Sequence, residues 1–80
     1  MAQKPKPLTW EDRTSRFLKA ELKRADLTYE ELAERLKKHG FKTETKASIA
    51  NKLARGTFTA SFFLATLAAL ELEGLRLEDV

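Results

Sequence analysis

Thr28-Tyr29-Glu30-Glu31-Leu32-Ala33-Glu34-Arg35-Leu36 and Ser48-Ile49-Ala50-Asn51-Lys52-Leu53-Ala54-Arg55-Gly56 decide how this chain is read. In the first stretch Thr28 stands before an amphipathic run, and Glu31 follows three residues later in the capping-box position. Leu27 and Leu32 flank that cap as a hydrophobic staple. Leu32, Ala33 and Leu36 form the inner stripe, with a small residue, Ala33, where another helix can cross closely. In the second stretch Ile49, Ala50 and Leu53 face inward. Ser48, Asn51, Lys52 and Arg55 point elsewhere, and Gly56 supplies the left-handed stop. A short helix crossing over an alanine, with polar and basic groups turned out, is the helix-turn-helix pattern of DNA-binding proteins.

The flanking sequence reads as two more helices. Helix 1 is predicted from Trp10 to about Ala25, with Thr9 as N-cap and Asp12 in the capping-box position. Trp10, Thr14, Phe17, Leu18, Glu21, Leu22 and Ala25 mark its inward side, which makes Trp10 a lid on the core. Arg13, Arg16, Lys19, Lys23 and Arg24 take the outer face and last turn. Helix 2 ends at Gly40. His39 beside it has no cysteine or second histidine for company, so it is a helix-end residue and not a metal ligand. Phe41 plugs back into the core, and Thr43 or Thr45 caps helix 3, which covers about residues 45–55.

Helix 4 starts at Thr59, with Phe58 and Phe63 in the staple positions. From Ala60 to Leu70 only Ser61 and Thr66 are polar. A helix this apolar is buried on more than one side. In so short a chain the expectation is a dimer interface of Phe62, Phe63, Leu67 and Leu70, joined by Leu75 and Leu77 from the tail. The other arrangement is a central helix wrapped by the remaining three. The tail, Gly74 to Val80, alternates apolar and charged residues and fits a short strand or a short terminal helix.

At 80 residues this is a single domain over 9–80, preceded by a basic arm over 1–8 in which Lys4-Pro5-Lys6-Pro7 cannot form regular helix. With 42% hydrophobic and 34% charged residues the chain belongs with folded helical domains, not disordered ones. The absence of cysteine excludes disulfides and thiolate metal sites. No apolar run approaches the roughly 20 residues of a membrane span. Met1 to Trp10 does not read as a secretory signal, so a cytoplasmic location is expected. Net charge is +3, and its distribution says more. Lys46, Lys52 and Arg55 stand without an acid across residues 45–56, whereas residues 57–80 carry four acids against Arg76. Paired carboxylates in a catalytic setting, nucleophile–base constellations and phosphate-binding glycine loops are missing, so no enzyme is expected. No cofactor and no small-molecule ligand are expected either.

Leu27-Thr28-x-Glu30-Glu31-Leu32-Ala33-Glu34-Arg35-Leu36, a helix ending Arg55-Gly56, and a further apolar helix resemble the lambda-repressor and Cro family over roughly residues 28–72. More closely, the chain is similar to a family of small bacterial proteins known only as a domain of unknown function. That likeness rests on Arg16 to Arg24, on Tyr29-x-x-Leu32-Ala33-x-x-Leu36, and on Asn51 to Ala60 followed by Phe62. It implies a bacterial source and helix-turn-helix character.

The repressor resemblance implies an all-α domain of four to five helices. It places Ala47, Ser48 and Lys52, with Asn51 beside them, where base edges are read. Lys46 and Arg55 fall at phosphate positions and Tyr29 at a backbone-contact position; Lys42 joins them through its charge. One departure stands out. Ala33 and Ala50 are 17 positions apart, whereas a compact motif joins its helices through about 3–4 residues, so the turn is lengthened here. The expected function is double-stranded DNA binding by a homodimeric transcriptional regulator. The alternatives are a sequence-tolerant architectural DNA binder and a protein-docking module with no nucleic acid.

Overall fold

The computed structural model describes residues 8–80, so all of the basic arm except Leu8 lies outside the described residues. Four helices follow in order: α1 (Trp10–Arg24), α2 (Tyr29–Lys37), α3 (Lys46–Arg55) and α4 (Ala60–Ala69). A single 3-10 turn, Leu77–Asp79, closes the chain. The domain is all-α, with no strand among the described residues. The alternating tail therefore runs as an extended segment into that turn and not as a strand. No neighbouring strand offers it a ladder, and Leu72, Leu75 and Val80 settle singly against the core.

Threonine starts every helix. The hydroxyls of Thr9, Thr28, Thr45 and Thr59 accept from the amides of Asp12, Glu31, Ser48 and Phe62 at 3.0–3.1 Å. At the first three helices the partner side chain accepts the cap amide in return, completing a capping box. Phe58 and Phe63 stack at 6.3 Å as the staple of α4. The helix ends share a second device. Leu27, Phe41 and Leu72 donate their amides to Leu22, Leu36 and Leu67 at 2.9–3.0 Å, the long bond of a Schellman motif. Each is an apolar residue that folds back onto the core. The left-handed residue before each is Asp26, Gly40 and Glu71, with φ 55°, 89° and 61°. Glycine therefore marks only one of these three stops.

The core joins Leu18 and Leu22 of α1, Leu32 and Leu36 of α2, Ile49 and Leu53 of α3, and Phe62 and Leu67 of α4. α1 packs on α3, and α2 packs on both α3 and α4. α2 and α3 thus each meet two other helices, and α4 joins the core through α2 and its aromatic contacts. Phe62 is met edge-on by Phe41 at 6.0 Å and tilted by Phe58 at 5.3 Å, while Phe17 touches Phe63 at 6.4 Å. Thr66, fully buried, donates to the Phe62 carbonyl at 2.8 Å, so its hydroxyl costs the core little. Arg35 ties α2 to the end of α4 through the Ala69 carbonyl, at 2.9 Å. No helix among the described residues is long and apolar enough to cross a membrane.

Trp10 is not a lid on the core: it is 58% exposed, and the Arg13 guanidinium lies over its ring at 4.1 Å. The buried face of α1 begins only at Ser15, so Trp10, more than a turn earlier, has no layer opposite it. Ser15 is buried instead, beneath the end of α3. At that contact Gly56 has φ 68°, and a β-carbon there would stand 2.4 Å from the Glu11 carbonyl oxygen. At Gly40 a β-carbon would meet nothing.

Urea denaturation separates these two glycines. Gly40→Ala loses only the left-handed preference, about 1 kcal/mol. Gly56→Ala adds overpacking and costs about 2–4 kcal/mol. The Thr28 backbone amide, then its hydroxyl, holds the Glu31 carboxyl below its ordinary pKa. Because the folded value is the lower one, this contribution is complete above the ordinary carboxylate range and is lost as pH falls through the depressed value. Carbon NMR of the Glu31 carboxyl should show the low midpoint, and Thr28→Ala should move it part-way back.

Candidate nucleic-acid interface

α3 is amphipathic in a particular rotation. Ile49 and Leu53 are buried, and Ala50 is half-buried beside them. Opposite lie Ala47, Asn51, Ala54 and Arg55, all exposed. Positions 47, 51, 54 and 55 follow the spacing of one helix face. Asn51 stands mid-ridge between two alanines, and Arg55 ends it. Lys46 at the first turn is exposed, as is Lys42 in the preceding loop, while Tyr29 is half-buried against the core.

The expected continuous ridge of Ser48, Asn51, Lys52 and Arg55 is broken by an acid. Glu44 is 8% exposed, and its carboxylate accepts from Ser48 Oγ at 2.6 Å and from Lys52 Nζ. Lys52 Nζ also lies over the Phe62 ring at 4.8 Å. Ser48 in addition completes the capping box of α3. Both side chains are therefore engaged on the flank of the helix, because a buried carboxylate must be paired. Glu44 carried no role in the sequence reading; it precedes the Thr45 cap, and the loop turns it back onto the flank where Ser48 and Lys52 stand four apart.

The flank toward α2 is acidic. Glu30, Glu31, Glu34 and Glu44 line a shallow recess with Lys37 and Lys46; Lys37 pairs with Glu34 at 3.0 Å, and Lys46 Nζ lies 3.7 Å from Glu30. Both groups of that pair are exposed, so it contributes little. α2 and α3 are joined through residues 38–45, in accord with a lengthened turn.

The residues expected at a dimer contact are divided. Phe62, Leu67 and Leu70 are buried by the chain's own core, and Phe63 and Leu75 pack partly against it. The reason is the convergence of Phe41, Phe58 and Phe17 on α4, which covers surface that a chain of this length was not expected to cover. Leu77 and, from α4, Leu64 remain open, at 70% and 62% exposure. Among the described residues no group of acids and histidine is arranged to hold a metal ion.

Removing Lys52 leaves Glu44 buried without its cation. Lys52→Ala should cost about 2–3 kcal/mol in urea unfolding. Glu44→Ala with Lys52→Ala should cost less than the sum of the single changes, which a double-mutant cycle measures.

No curated protein and no solved structure matches the chain. A family model described as a domain of unknown function (DUF6471) matches residues 10–75. That span runs from the first residue of α1 through α4 into the extended tail, and the chain belongs to the DUF6471 family.

Proposed function

We propose that this domain binds double-stranded DNA by laying α3 in the major groove, as a small bacterial transcriptional regulator acting in two copies. The observation that carries the reading is the exposed ridge Ala47, Asn51, Ala54, Arg55 on a short helix capped at both ends. Alanines on either side of Asn51 let the helix approach base edges closely. Asn51 can then pair both amide ends with adenine, a contact that contributes about 1–3 kcal/mol of discrimination. Arg55, Lys46 and Lys42 hold phosphates, with Tyr29 beside them, and so set register without reading sequence. Lys52 and Ser48 act here by way of Glu44, fixing the flank of the helix, and reach bases only if that pairing opens. A single module has a small footprint, so two copies on a repeated or palindromic site supply useful affinity. Leu64 and Leu77, the most exposed of the large apolar side chains among the described residues, are available to join them.

The acidic recess along α2 favours a second reading, a protein-docking module that avoids polyanions. Anisotropy titration of a labelled random-sequence duplex at two salt concentrations separates the two. DNA binding requires affinity that falls steeply with salt, and Arg55→Ala should lower the salt slope by about one unit. On a site selected from a random library, Asn51→Ala should lose about 1–3 kcal/mol and the preference at one base pair. A sequence-tolerant architectural binder keeps the salt dependence without that preference. No binding at low salt overturns the DNA reading and leaves the docking module. Sedimentation of the complex reports whether two copies are present.

A further inference from the structure

The side of α1 turned away from α3 carries a separate feature. Glu11 abuts Gly56 of the α3 stop, and Ala20, nine positions later, lies half a turn around from Glu11. There, between α1 and the extended segment after α4, runs a cleft of about 800 Å³, within the range of small-molecule sites. Its floor is apolar, formed by Phe17 and Ala20 on one side and Leu72, Leu75 and Val80 on the other. Its rim sets Arg13, Arg16, Arg24 and Arg76 against Glu21, Asp79 and the terminal carboxylate of Val80.

The four arginines are not equally committed. Arg24 pairs with Glu21 at 3.2 Å, and Arg76 pairs with Glu78. Arg13 donates Nε to a carboxylate oxygen of Val80 at 2.9 Å, which pins the segment across the cleft and leaves both terminal nitrogens of the guanidinium free of that bond. Arg16 is exposed and makes no ion pair or side-chain hydrogen bond among the described residues. Arginine forks of this kind match a carboxylate or phosphate head with two parallel hydrogen bonds. The apolar floor asks for something more than charge. A nucleic-acid backbone has no group to place on Phe17, Leu72 and Leu75, whereas an acid with a hydrocarbon body has.

We propose that this cleft binds a small organic anion with an apolar body, its head held by Arg16 and Arg13 and its body laid on Phe17, Leu72 and Leu75. The site is independent of the DNA reading, since it lies on the other side of α1 from α3. It also runs against the expectation from sequence that no small ligand binds.

The chain has one tryptophan, Trp10, and Arg13 covers its ring, so binding at Arg13 is visible in its fluorescence. Octanoate, octyl phosphate, octanol and inorganic phosphate are titrated into the full chain, with Trp10 emission and calorimetry as readouts. One or both amphiphilic anions should bind saturably with one site per chain and shift the emission, the tighter of the two naming the head group. Arg16→Gln should weaken that binding about tenfold with unchanged circular dichroism and melting. Leu75→Ser, on the opposite wall, should weaken the amphiphiles while leaving inorganic phosphate unaffected. Octanol binding as tightly as the anions overturns the proposal, because the arginines would then play no part. Inorganic phosphate binding as tightly overturns it as well, since the floor would be irrelevant. So do the absence of saturable binding and an Arg16→Gln variant that binds as the parent does.

Discussion

α3 lies where it does because nothing projects from Gly56. The end of that helix presses on the Glu11 carbonyl and on Ser15, at distances that leave no room for a β-carbon. Ser15 is the counterpart of that glycine: it is small, and its hydroxyl is buried there without a hydrogen-bond partner. A buried unpaired hydroxyl is unfavourable, so the contact has to be supported by its surroundings. Ile49 and Leu53 provide that support, sinking into the core once α3 is docked. The same docking fixes the rotation of the helix. Asn51 and Arg55 are outward because Ile49 and Leu53 are inward, and the close approach of Gly56 prevents α3 from rolling.

The core reaches the candidate interface through Phe62. Phe41 and Phe58 enclose its ring within the domain, and Lys52 lies over it from the α3 side. Lys52 in turn satisfies Glu44, which the α2–α3 loop carries into the interior. Packing and surface chemistry are coupled there. The arrangement that closes the core along this flank also removes a lysine and a serine from the outward face of α3, leaving a narrower ridge with fewer charges. The acids of α2 lie beside the first turn of α3, near Lys46.

Local chemistry was readable along most of the chain. Thr9, Thr28 and Thr59 announced three helix starts, and Thr45 was one of two candidates for the fourth. A cap is a contact between residues three apart, and no tertiary information is needed to recognise it. Gly40 and Gly56 were readable as stops for the same reason. Asp26 and Glu71 were not, because a left-handed aspartate or glutamate carries no compositional mark. There the turn is held by Leu27 and Leu72 packing back on the core, which is a tertiary event. On α3, the outward turn of Asn51 and Arg55 followed from helical spacing, whereas Ala47 entered only through the repressor resemblance. The pairing of Ser48 and Lys52 with Glu44 was not legible, because it depends on the loop turning that carboxylate inward.

What the sequence determined by itself was therefore the set of elements: four capped helices, their apolar stripes and an all-α class, each fixed by interactions within a few residues. Only the tertiary structure decided which helices pack on one another, which polar side chains are tied up, and what the tail does. Trp10 and Phe62 show the difference. Both are large aromatic residues on helices, yet one is exposed and the other fully buried. Burial depends on which element arrives opposite a side chain, and that is set by long-range packing, not by the neighbours a residue has along the chain.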